Sequence, residues 1–65
     1  MDELKKLSII QSLRREAELN GDAGRWFNEG IRSICMNPHT TTVDHSLGIQ
    51  YAKGQAYAIE RLKVQ

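Results

Sequence analysis

Asn37-Pro38-His39-Thr40-Thr41-Thr42 is the stretch on which the reading of this chain turns. Proline lacks a backbone N–H and disfavours helix in the residue before it. A helix arriving through Cys35 should therefore stop near Met36 or Asn37. The threonine run after the proline is β-branched and stiff, and its hydroxyls suit the cap of a further helix. Helical spacing lies on both sides. The expectation is an all-α fold of two to three helices, the last two an antiparallel hairpin about the Asn37–Thr42 turn.

Before the turn, Ala23, Phe27, Ile31 and Ile34 fall on one stripe, which predicts a helix over about 23–36. Gly24 and Cys35 flank the stripe on one side, Trp26 and Gly30 on the other. An apolar arc this wide belongs to a central helix contacted on more than one side. Arg25, Asn28, Glu29 and Arg32 make its polar face, with Arg25 and Glu29 spaced to pair. Gly24 and Gly30 each cost about 1 kcal/mol of helix propensity relative to alanine. Close approach of a neighbouring helix is the favoured reason for their presence, a looser helix the other.

After the turn, Thr42 or Asp44 is placed to cap a third helix over about 43–63. Leu47, Tyr51, Gly54, Ala58 and Leu62 share a narrow face, broadened by Gly48, Ala52, Gln55 and Ile59. Tyr57 falls off that face, towards solvent or a partner. Arg61 and Lys63 suit the negative end of the helix dipole.

Further upstream, Leu4, Leu7, Ile10, Leu13 and Ala17 recur at helical spacing and predict a first helix over about 2–19, with Asp2 at its cap. Arg14 and Glu18 are spaced to pair. Asn20-Gly21-Asp22 then reads as a helix stop and a cap for the next start. The competing reading is one long helix through Gly21, with Ile10, Ala17, Gly24 and Ile31 along a heptad seam. The break is favoured, because that seam would be locally weak.

The whole chain of 65 residues fits one small domain, 1–65. A single cysteine excludes an internal disulfide and fits a reducing compartment. A core this small gains from self-association or from docking on a larger partner. Net charge is +1, from 9 basic and 8 acidic residues. No strong field steers such a chain to nucleic acid or an anionic membrane. No apolar run approaches the roughly 18 residues of a membrane span. The amino-terminal residues have no signal-peptide apolar core.

Candidate chemistry is sparse. Cys35, His39, Asp44 and His45 crowd one turn, whereas zinc sites commonly use two close pairs from two elements. A buried thiol and two surface histidines are the simpler reading. Cys35 with a histidine lacks a recognisable oxyanion pocket, so no catalytic residue, metal ligand or cofactor is assigned. Lys5, Lys6, Arg14 and Arg15 are diluted by Glu3, Glu16 and Glu18 and read as a solvated face. Trp26, Tyr57, Leu4 and Leu7 are the candidates for partner contact, since aromatic anchors beside small-residue helices suit a protein interface. Ala23, Phe27, Ile31, Ile34, Leu47, Tyr51, Gly54, Ala58 and Leu62 are the candidates for hairpin packing.

Ala23-Gly24-Arg25 at a helix start, a turn bearing Pro38 and threonines, and Tyr51-Ala52-Lys53-Gly54-Gln55-Ala56-Tyr57-Ala58-Ile59-Glu60-Arg61-Leu62 together carry a resemblance. Over about residues 22–62 the chain resembles a family of small helical proteins encoded among the head and tail genes of short-tailed bacteriophages, the Bordetella-phage type. Gln55 stands where that family usually has arginine, and the second helix is less leucine-rich. The resemblance implies a non-enzymatic structural or virion-associated protein, found in the virion or the host cytoplasm. It would pack on itself and on a larger head or tail component. The alternative is a small helical regulator that binds a host protein or RNA as a dimer.

Overall fold

The computed structural model describes residues 3–21 and 24–63. Among them are three α-helices and no strand: α1 over Glu3–Leu19, α2 over Arg25–Met36 and α3 over Ile49–Lys63. The expected caps Asp2 and Asp22, and the expected packing residue Ala23, lie outside the described residues.

The chain breaks between the first two helices, as Asn20-Gly21 suggests. α1 ends at Leu19, and its last carbonyls accept from Asn20 and Gly21, with Gly21 at φ +88°. That left-handed conformation suits glycine and turns the chain away from the helix. α2 then begins from Gly24, whose extended backbone supplies the carbonyl that accepts the Asn28 N–H at 3.0 Å. Gly24 is thus a helix boundary, not a site of close packing: a Cβ added there would meet only the Phe27 Cβ, at 4.0 Å.

Pro38 ends α2 as expected. The helix stops at Met36, and the Asn37 N–H and side-chain amide both turn back to the last-turn carbonyls. The connection to the third helix departs from the sequence expectation. α3 starts at Ile49, well beyond the expected start near residue 43, and neither Thr42 nor Asp44 caps it. Asp44 Oδ1 instead accepts the Ser46 N–H at 2.9 Å, a local side-chain turn that competes with helix. Gly48 at φ +107° then interrupts any helix reaching back to residue 43. The Gly48 carbonyl accepts the first helical bond, from Ala52.

Gln55 holds this loop to the hairpin. It is almost fully buried, its Oε1 accepts the Asp44 N–H at 2.7 Å, and its Nε2 donates to Ser33 Oγ at 3.5 Å. One side chain on α3 therefore ties α2, α3 and the connecting loop together. Leu47, expected in the hairpin, sits on that loop and is half-exposed.

α2 and α3 form the helical hairpin and approach backbone to backbone. A Cβ on Gly30 would overlap the Tyr51 carbonyl oxygen and stand 2.8 Å from the Gln55 nitrogen and 3.0 Å from the Gly54 Cα. A Cβ on Gly54 would overlap the Phe27 carbonyl oxygen. Each glycine therefore leaves room for the other helix's main chain, which resolves the choice at Gly30 in favour of close approach. Around this contact Phe27, Ile31, Ile34, Ala52 and Ala58 are buried, and Tyr51 and Leu62 are half-buried.

α1 closes the open side of the hairpin. Ile10, Leu13 and Ala17 join Phe27, Ile31, Ile34, Cys35 and Ala58 in one core cluster. Glu16 on α1 pairs with Arg61 on α3. Both side chains are well exposed, so the pair contributes at most about 1 kcal/mol.

The hairpin contact gives an expectation of unusual sign. An exposed helical glycine gains about 1 kcal/mol on replacement by alanine. Gly54→Ala should instead destabilise by about 1–3 kcal/mol, and Gly54→Leu by more, because the added atoms meet main chain that cannot rotate away. Urea unfolding monitored by circular dichroism checks this. A stabilised Gly54→Ala protein would contradict the close contact.

Candidate interaction surface

Several large apolar side chains remain outside the core. Leu4 and Leu7 on α1 are 78% and 50% exposed, and Met36 at the end of α2 is 39% exposed. Leu4 and Leu7 are one helical turn apart. Leu7 and Met36 line a shared cleft of about 180 Å³, together with Glu3, Lys6 and Arg32. The α1 stripe thus divides: its carboxyl-terminal half enters the core, and its amino-terminal half stays uncovered, with Leu7 beside Met36. Met36 is not among the contact residues that the sequence suggests. Only the packing of α1 on α2 puts it beside Leu7.

Trp26, in the first turn of α2, is half-exposed. It shares no described cleft with Leu4 and Leu7. Leu19, Leu47 and Ile49 are also exposed, and lie at the end of α1 and around the start of α3.

Tyr57 behaves differently from its expectation. Its ring packs on Phe27, with centroids 5.6 Å apart, and the Arg61 guanidinium lies 5.2 Å over it. The tyrosine is therefore a bracket between the core and the Glu16–Arg61 pair, not a free anchor. Its hydroxyl is buried against that pair without a hydrogen bond of full geometry. Burial, then the neighbouring Glu16 carboxylate, raises its pKa. The helical stripe does not reveal this, because a tyrosine ring spans more than its own register position.

The second cleft between α1 and α2 is polar. Ile10, Arg14, Arg25, Asn28, Glu29 and Arg32 line a volume of about 370 Å³. The expected Arg25–Glu29 and Arg14–Glu18 pairs are not formed; Glu16 pairs instead with Arg61. The α2 members of this cleft are legible in the sequence as one polar face. Arg14 joins them only through tertiary packing.

The turn residues with potential chemistry are spread apart in environment. Cys35 is buried in the core, and burial raises its thiol pKa. His39, Asp44 and His45 are exposed in the loop. The Asp44 carboxylate is held below its usual pKa by hydrogen bonds from Ser46. No group of three or more His, Cys, Asp or Glu able to hold a metal occurs among the described residues. No helix among them is long and apolar enough to cross a membrane. No family model, curated protein or solved structure matches the chain.

The state of Cys35 can be read directly. A thiol whose folded pKa is raised stays protonated as pH rises past the ordinary cysteine value, and the thiolate is the reactive form. Native Cys35 should react with iodoacetamide at pH 8 at least about tenfold more slowly than the urea-unfolded chain. Equal rates would contradict a buried, inert thiol.

Proposed function

We propose that the protein is a non-enzymatic helical interaction module that packs on a larger protein through the Leu4–Leu7–Met36 strip, as a virion-associated or assembly component of a bacteriophage. The exposed apolar strip carries this reading. Leu4 at 78% exposure and Leu7 at 50% lie one turn apart on a helix whose next residues on the same stripe are core. Contiguous apolar surface of this kind marks protein contact when it is rimmed by polar groups, and here Glu3, Lys6 and Arg32 form the rim. Burial of the strip adds to a core that is small for a free-standing domain.

The placement in a phage rests on the sequence resemblance over about residues 22–62. The particle and the host cytoplasm are both consistent with it. Self-association through the same strip and docking on a head or tail protein bury the same side chains. A regulator that binds a host protein or RNA as a dimer is the alternative reading.

Quantitative mass spectrometry of purified virions from the phage encoding the chain tests the proposal. The expected result is a fixed copy number relative to capsid or portal. It should fall at least about tenfold for Leu7→Glu, while that variant's stability changes by about 0.5 kcal/mol or less. Absence from particles, with abundant protein in infected cells, would overturn the virion placement in favour of the regulator.

A further inference from the structure

The polar cleft between α1 and α2 holds an unbalanced set of groups. Arg14, Arg25 and Arg32 border it against the single carboxylate of Glu29. None of the three arginines is in an ion pair with another described residue. Like charges gathered in one concavity favour an anion there.

Two features narrow the occupant. Arg32 also lines the adjoining cleft with Leu7 and Met36, so the cationic surface runs into the apolar strip. An inorganic anion would meet the arginines but leave the apolar strip uncovered. No aromatic side chain lines either cleft, so a nucleobase would have only guanidinium faces to stack on. The occupant that fits is a ligand with carboxylates and apolar side chains in one piece.

We propose that the α1/α2 groove recognises an acidic amphipathic helical segment of a protein partner. Its carboxylates sit on Arg14, Arg25 and Arg32, and its apolar face on Leu7 and Met36. Guanidinium groups match carboxylates through paired N–H donors, and a helix laid in a groove is a recurrent recognition mode. This inference rests on the docking reading above and adds to it the charge of the partner.

Fluorescence anisotropy with the full chain tests it. The probes are a synthetic helix of about four turns with glutamate on one face and leucine on the other, the same peptide with glutamine for glutamate, and a single-stranded oligouridine. The glutamate peptide should bind, and binding should weaken between about 50 and 200 mM salt. The Arg14→Gln/Arg32→Gln variant should lose about 100-fold in affinity for it, near tenfold for each arginine. All three arginines are exposed, so the variant should keep its melting curve. Equal affinity for the two peptides overturns acidic recognition. If Leu7→Glu then abolishes both, the apolar docking reading stands without it. Failure to bind the glutamate peptide overturns the inference, and virion copy number still decides the docking reading separately. Oligouridine bound more tightly than the peptide, and lost in the arginine variant, overturns it in favour of RNA.

Discussion

The backbone contact between Gly30 and Gly54 sets the geometry of everything else. Neither position admits a Cβ without overlap with the opposing main chain. The two helices can sit this close only because both residues lack one. Their approach brings Phe27, Ile31, Ile34 and Ala58 into a common core and places Gln55 within reach of the Asp44 N–H. The loop between the helices is then fixed by a buried amide, not by the threonine caps that its sequence offers.

α1 is the lesser partner in this arrangement. It gives Ile10, Leu13 and Ala17 to the core and one exposed ion pair to α3. Gly21 and Gly24 mark the two described ends of its connection to α2. Its amino-terminal half runs past the core, leaving Leu4 and Leu7 uncovered. The overhang borders the cleft beside Met36, and the packed part of α1, at Ile10 and Arg14, borders the one among the arginines. The features proposed as functional are thus consequences of where α1 is laid across the hairpin.

Helix boundaries that depend on local backbone chemistry are legible in the sequence. Pro38 ends α2, and Asn20-Gly21 ends α1, because each acts on its own residue and its neighbours. Phe27, Ile31, Ile34 and Ala58 are legible from helical spacing. The late start of α3 is not: Thr42 and Asp44 are both good caps, and only the Ser46 turn, Gly48 and Gln55 together decide against them. Leu47 leaves the hairpin for the same reason. Tyr57 escapes a reading by register because its ring reaches back to Phe27 and Arg61. At the candidate surface, Leu4 and Leu7 carry a signal in their own spacing. Met36 and Arg14 acquire their positions from packing between helices, which periodicity within one helix does not encode.

Native-state hydrogen exchange on the full chain addresses the central claim most directly, that the glycine-locked hairpin is the structural unit and α1 an attached arm. Amides of α2 and α3 around Gly30 and Gly54 should exchange only through global unfolding, with one common free energy. The α1 amides should exchange earlier, through a partial opening that leaves the hairpin formed. If α1 amides are as protected as those beside Gly30, the three helices are one cooperative unit and the claim is wrong.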